Sequence, residues 1–461
     1  MLVKVKDSIS DIKKHIIIND IIILLIPLSI FSFYLYIYNP GILSYDSYNQ
    51  LAQIYEHDFN NWHPFFHTFI EMVCLKIYNS PISIGVLQII TFSFMWTIIC
   101  KYYRGDNRGV CPIFIAQVIL TVFISVIPIN AIYSITLWKD ILYSYYLMFT
   151  CFLVDVIMRD KDDNTTMIPV VTGGVFGFVW NLRYNGSYVI VVLCIILGIV
   201  LLARNKKATL FKLLISTVVT VALISSLGFI YHVKDNSKDA VLAKLAHGLS
   251  YYYLNYDLSD EDAEVVTSLV TGDKIEEKFD IYISDAIWRN ANSDNYNVDK
   301  AKYIKTFLRL SIKHPAGCCK YMLKSSSVVW DIVRKDEWKS IPYQTSIASS
   351  NNTMGIGHIN YNRRRYILLD QYVTKVRDNV VADTLLNSPA LYMYLSIAII
   401  IFVRIKKKSR LAYFIYVPNL LNIVIVMLST PVQDTRFLYS NLLVFYYLII
   451  VLISNSGKKN G

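Results

Sequence analysis

Charged residues, glycine and proline are all scarce in this 461-residue chain: charged residues make up 17% of it, with 17 glycines and 12 prolines. Against 54% hydrophobic residues and a mean hydropathy of +0.41, that scarcity excludes a soluble globule with a single anchor and describes a polytopic membrane protein. Cysteine is also sparse. The seven cysteines show no metal-ligand spacing and no disulfide framework, and Cys100, Cys111, Cys151 and Cys194 sit in or beside apolar runs, where the thiol behaves as a small hydrophobe. No internal repeat and no low-complexity segment is present. The basic first segment is not followed by a small-residue cleavage site, so an uncleaved first helix is expected.

The formal charge of +11 does not describe a nucleic-acid-binding face. The one long polar region, 232–388, holds 21 Lys and Arg against 20 Asp and Glu, and the remainder holds 24 against 14. The excess therefore belongs to loops between apolar runs. The 35 tyrosines and 22 phenylalanines suit helix ends at a membrane–water interface.

A crossing helix needs roughly 20 apolar residues. Runs at 16–38, 80–100, 110–129, 140–158, 167–182, 187–203, 209–231, 389–403, 411–428 and 437–454 qualify or nearly do. They predict about ten transmembrane helices: a seven-span module over 1–231, a mainly helical extracytoplasmic domain over 232–388, and a three-span module over 389–461. With a cytoplasmic N-terminus, the inner segments carry 20 Lys and Arg and the short outer loops only Lys76, Lys139, Arg183 and Arg436, a strong positive-inside bias. Residues 63–78 could tempt an eleventh crossing, but His67, Glu71 and Lys76 would then lie in hydrocarbon. An amphipathic helix on the outer surface, with a polar interfacial face, is expected instead. Within 232–388, residues 299–315 predict a helix and 346–362 a loop.

This topology gathers the unusual residues on one face. Tyr45, Asp46, Trp62, His63 and His67 fall in the first outer loop, Lys139 and Asp140 in the second, Arg183 at the third, and Asp434 and Arg436 in the last. Basic groups at outer span ends run against the topological bias, and ionisable groups near bilayer depth mark a substrate path. Lys139, Arg183 and Arg436 suit a phosphate or pyrophosphate, and an aspartate beside them could deprotonate a hydroxyl. Alternative roles stand beside these: Asp46 as a helix N-cap, Lys139 with Asp140 and Asp434 with Arg436 as local ion pairs, and the 363–365 arginines as a solvated face. His63, His67 and Glu71 recur every four residues, a spacing that could hold a metal, although no metal is assigned to them.

The stretches PGILSYDS (40–47), WHP (62–64), LWKD (137–140), LRYNG (182–186), KHP (313–315) and DTRF (434–437) together resemble the C-type (GT-C) glycosyltransferase superfamily, in particular a bacterial group using polyprenyl-phosphate sugars. The resemblance implies an integral membrane transferase with Asp46 as catalytic base. Tyr45, His63, Lys139, Asp140, Arg183, Asp434 and Arg436 would bind substrate, no cofactor would be needed, and the sugar's configuration would invert. Many such enzymes carry paired acids where this chain has Asp46 followed by Ser47. The implied partners are a polyprenyl-phosphate-linked sugar, a glycan, lipid or protein acceptor, and membrane lipid, with no nucleic acid. The implied location is a bacterial plasma membrane with the site outside and both termini cytoplasmic. The rivals are a flippase for a lipid-linked glycan, a non-enzymatic docking protein, and a metal-dependent hydrolase using His63, His67 and Glu71.

Overall fold

The computed structural model describes residues 2–105, 111–160, 163, 167–235, 238–349, 352–359, 362–407, 413–429 and 433–456. Of the basic residues expected in inner segments, Arg108, Lys161, Lys408, Arg410, Lys458 and Lys459 lie outside the described residues. Helix α1 (Leu2–Ile37) is followed by two short helices, α2 (Tyr45–Glu56) and α3 (Phe65–Ile77), and then by α4 (Ile82–Arg104). Next come α5 (Pro112–Val126), α6 (Pro128–Ser134), α7 (Lys139–Arg159), α8 (Ile168–Leu182), α9 (Tyr184–Ala203) and α10 (Lys207–Ile230). The polar region contains α11 (Lys238–Asn255), α12 (Asp260–Leu269), α13 (Gly272–Lys278), α14 (Asp285–Trp288), α15 (Ser293–Val298), α16 (Lys300–Lys313), α17 (Pro315–Ser325), α18 (Arg363–Asp378) and α19 (Val380–Asn387). The chain closes with α20 (Pro389–Lys407), α21 (Val417–Ser429) and α22 (Tyr439–Ser456).

Seven helical stretches among the described residues are long and apolar enough to cross a membrane, so the chain is an α-helical, multi-pass membrane protein. Of the other three apolar runs, two form α8 and α21, of 15 and 13 residues, each roughly 20 Å at about 1.5 Å per residue and short of a ~30 Å hydrocarbon core. The third, the span expected over 110–129, is divided between two helices. Between α5 and α6 the axis turns by 71°, because Pro128 has no N–H to continue the ladder and opens a new helix at its first position.

Helix α7 is the hub of the bundle. Its spanning window is 94% buried, whereas that of α10 is only 11% buried. A helix apolar on all sides suits the first situation within protein and the second within lipid. Helices α8 and α10 approach closely through small residues: a Cβ at Gly173 would lie 2.6 Å from the Leu213 carbonyl oxygen, and one at Gly177 2.5 Å from Thr220 Cγ2.

Helix α3 has 13 residues and does not span. Its polar face does not meet the interface, contrary to expectation, but is turned into the protein: His67, Thr68 and Glu71 are fully buried against α2. The region 232–388, expected as one domain, divides its buried residues between two cores. Residues between Leu242 and Tyr321 pack into a separate cluster, while Val328, Val329, Trp338, Tyr343 and Val373 join the main core of the bundle. The expected helix over 299–315 is α16, ending just before Pro315, and the described residues of 346–362 are irregular.

Candidate active site

Two loops are stitched together beneath the site. Ile42 donates its N–H to the Ile135 carbonyl at 2.9 Å, and Leu137 returns an N–H to the Ile42 carbonyl at 3.1 Å. Gly41 permits this approach, since its φ is +122° and a Cβ there would sit 2.8 Å from the Ile135 oxygen. The stitch brings the start of α2 against the start of α7. Ser44 caps α2, its N–H donating to Ser47 Oγ at 3.1 Å, and Ser47 Oγ donates to the Leu137 carbonyl at 2.8 Å. The N-cap is therefore Ser44, and Asp46 lies in the first turn with its carboxylate free to face other groups. Asp140 holds the equivalent place in α7. Both acids gain from the partial positive charge of a helix N-terminus.

The third contribution comes from the short helical turn Thr435–Leu438, whose N-cap is Asp434. It sets Arg436 between acids: Nη1 donates to Asp46 Oδ2 at 2.8 Å, and Nε lies 2.9 Å from Asp434 Oδ2 and 4.0 Å from Asp140 Oδ2. The guanidinium stacks over Trp138, 4.7 Å from the ring centre. Lys139 Nζ stands 4.0 Å from Asp46 Oδ2 and donates to His63 Nδ1 at 3.0 Å. An ammonium can only donate, so the His63 proton sits on Nε2, 4.0 Å from Asp46 Oδ1. Burial, with Lys139 beside it, pushes His63 down to about 3, so the imidazole is neutral. Burial alone would raise the Asp46 carboxyl, but Arg436 and Lys139 outweigh it and hold it well below the usual carboxylate range.

Asp46, Tyr45, Asp434 and Arg436 line an open cavity of about 370 Å³. Asp140 and Arg183, expected as ligands, lie behind its wall. Asp140 is fully buried, Arg183 Nε is 3.2 Å from its Oδ1, and Arg183 Nη1 donates to the Phe437 carbonyl at 3.3 Å. Neither Asp140 oxygen has an aligned hydrogen bond among the described residues. Arg183 is thus a prop for Asp140 and Phe437 rather than a wall residue. Lys139 and His63 are also set back from the lining. The cluster holds three acids and three bases, so it is neutral overall, and any anion entering must compete for Arg436.

The opposite wall comes from the polar region: Lys339, Ser340, Tyr343 and Gln344, with Ala348, whose N–H donates to the Leu43 carbonyl at 2.9 Å. Sequence reading passed over these residues, as it did Ser44 and Trp138, whose indole donates to Ser44 Oγ at 2.5 Å. Trp138 could have been found, since it adjoins Lys139. Nothing in the loop sequence marks residues 339–348.

Other expectations resolve differently. His67 Nδ1 accepts from Gln50 at 3.0 Å and lies 3.6 Å from Glu71, while His63 serves Lys139, so the three do not converge as a ligand set. Burial pushes Glu71 well above its usual range, with Lys139 offsetting only part, so it is held as a neutral acid. Trp62 pairs with Trp288 at 5.5 Å. KHP (313–315) is the junction of α16 and α17 beside the separate core, with Lys313 and Pro315 exposed and His314 stacked on Tyr256 at 4.0 Å. The 363–365 arginines are exposed at the start of α18. No family model, no curated protein and no solved structure matches this chain.

Proposed function

We propose that this chain is an inverting membrane glycosyltransferase of the C-type (GT-C) kind, moving a sugar from a polyprenyl-phosphate donor to a hydroxyl of a cell-envelope glycan, lipid or protein. The observation that carries the reading is the Asp46–Arg436 pair at 2.8 Å, with both partners on the wall of one cavity. Ten crossings, with α5–α6 as a bent one, α8 and α21 as short ones over locally thinned bilayer, and both termini in the cytoplasm of a bacterium, would put this cavity on the outer face, with 232–388 beside it.

In this reading the acceptor hydroxyl gives its proton to an Asp46 oxygen as its own oxygen bonds to the anomeric carbon. The bond from that carbon to the phosphate oxygen breaks, and its electron pair leaves with the polyprenyl phosphate. A carboxylate held by two cations is a weak base at rest. The incoming phosphate answers this by drawing Arg436 to itself, which loosens the grip on Asp46 and raises its basicity as the donor docks. Arg436 then offsets the charge growing on the leaving phosphate, and Lys139, steered by His63, holds Asp46 in place. Arg183 acts through Asp140 and Phe437 as a positioning residue. Every carboxylate in the cluster already has a cationic neighbour, so a divalent cation would have to displace Arg436, and chelation should leave the rate unchanged.

The test uses purified protein in lipid nanodiscs with radiolabelled polyprenyl-phosphate sugars of several kinds and an envelope extract as acceptor. Label should pass to the extract from one donor, with the product anomer opposite to the donor's and no effect of chelator. A product of retained configuration, or transfer from a nucleotide sugar with none from any polyprenyl phosphate, would overturn the reading.

A further inference from the structure

A second cavity, of about 360 Å³, lies between α3, α8, α9 and α10, back to back with the charged site. Two short stretches form the partition. In Asn61–Trp62–His63–Pro64, Asn61 and Pro64 line the second cavity while His63 reaches Lys139 on the other side. In Trp180–Asn181–Leu182–Arg183–Tyr184, Trp180, Asn181 and Tyr184 line it while Arg183 reaches Asp140. The Tyr184 hydroxyl donates to the Asn61 carbonyl and ties the two stretches together.

The chemistry of the two sides is opposite. No described residue lining the second cavity carries a formal charge. Its polar groups are amides and hydroxyls, set beside the aromatic Trp180. Of the charges beside it, Asp235 accepts from the Asn61 amide at 3.0 Å and Lys234 is paired with Asp58 at 2.6 Å, so a phosphate entering would have to compete with Asp58 for that cation. Asn181 spends one N–H on the Gly177 carbonyl at 2.8 Å and one lone pair on Ser225 at 3.3 Å, and an amide has a second of each to offer. Amides and hydroxyls around an indole face suit a ligand with many hydroxyls and no charge. The far wall is α10, the candidate span least covered by protein, whose Leu214 and Val218, eleven and seven residues before the lining Ser225 and so on its face, are exposed. An acyl chain can follow that face into the bilayer.

We propose that this cavity binds a membrane lipid with an uncharged, hydroxyl-rich headgroup, a neutral glycolipid, with the headgroup beside Trp180 and Asn181 and the acyl chains along α10. This does not rest on the glycosyltransferase reading, because it concerns binding in a different cavity.

Full-length protein in nanodiscs would be photolabelled with a diazirine-bearing glycosyl diacylglycerol and the adducts mapped by mass spectrometry. Labelling is expected to concentrate on peptides containing 180–187 and 224–233. Unlabelled glycosyl diacylglycerol should compete at least about tenfold better than phosphatidylglycerol, and free disaccharide should not compete. Trp180→Ala should reduce labelling. Gly228→Leu should do so without disturbing the fold, since a Cβ at Gly228 meets only Val233 Cγ2, at 3.9 Å, and leucine favours a helix more than glycine does. Labelling spread evenly over lipid-facing helices, or unchanged by Gly228→Leu, would overturn the proposal. Equal competition by phosphatidylglycerol would show ordinary boundary lipid, and full competition by free disaccharide would show a soluble glycan. Either would also overturn it.

Discussion

The two ends of the helix bundle treat charge differently. At the far ends of α4 and α7, acids and bases are closed on one another. Arg104 is 2% exposed; it is held by Asp20 and donates to Gln117 at 3.1 Å, and Lys101 adds a second contact to Asp20 at 2.8 Å. Asp155 there takes Arg159 at 2.6 Å and the Tyr103 hydroxyl, which touches Tyr447 at 3.0 Å. At the near ends, the Asp46 cluster opens onto a cavity, and Arg436 is shared among three acids. Asp140 has ion contacts without aligned hydrogen bonds among the described residues. A closed set of pairs serves folding, and opening it only costs. An over-shared set can release one partner to a ligand without orphaning the rest.

Substitutions separate these two behaviours. Arg436→Ala should lower transfer by about 10²–10³-fold, the usual cost of removing a donor aimed at developing charge, with a smaller shift in Tm. Initial rates and thermal unfolding by tryptophan fluorescence check the two effects. Arg104→Ala should do the reverse, destabilising by about 3–5 kcal/mol because Asp20 is left without its main partner, while the rate per folded molecule holds. Arg183→Lys should fall between, with about a tenfold lower kcat and little change in donor KM, as lysine keeps the charge but not the fork that spans Asp140 and the Phe437 carbonyl. A rise in KM alone would make Arg183 a ligand after all.

Acid sharpens the same contrast in a smaller way. His247 in the separate core donates from Nε2 to the Asp280 carbonyl at 2.8 Å, its Nδ1 accepts from the Tyr321 hydroxyl at 2.9 Å, and burial pushes it down to about 4. An unfolded histidine titrates near about 6.5. Between those values the unfolded chain binds the extra proton, so stability is full above the upper one and falls as pH drops toward the lower. Tm should therefore decline from pH 6.5 to 4, less steeply in His247→Gln. Asp46 stays ionised throughout that window, and His63, pushed down to about 3, stays neutral. Transfer per folded molecule should lack a histidine-like limb near 6.5.

Much of this arrangement is visible in the chain itself, for identifiable reasons. Apolar length and loop charge point to most of the helices, and Asp46, Lys139 and Arg436 stand out because charge at those span ends is costly. The inward turn of α3 was not legible, since His67 and Glu71 at helical spacing read alike whether their face meets water or a buried Gln50. The wall built by 339–348 depends on contacts such as Ala348 to Leu43, made by backbone atoms common to every residue. Arg183 was grouped with Asp140 and Arg436, but its place behind the wall was not legible, because hydropathy does not report side-chain direction at the break between α8 and α9. The bend at Pro128 could have been read from the proline itself.

The central claim is that Asp46 is a base restrained by Arg436 until a phosphate arrives, and Asp46→Asn tests it most directly. Donor affinity and single-turnover transfer would be measured side by side in nanodiscs, against wild type. Transfer should fall by about 10²–10⁴-fold, the range for loss of a general base. Donor should bind as tightly as in wild type or more so, because the substitution frees Arg436 from a competing carboxylate. Transfer at the wild-type rate, or a loss of donor binding that accounts for the whole loss of transfer, would contradict it.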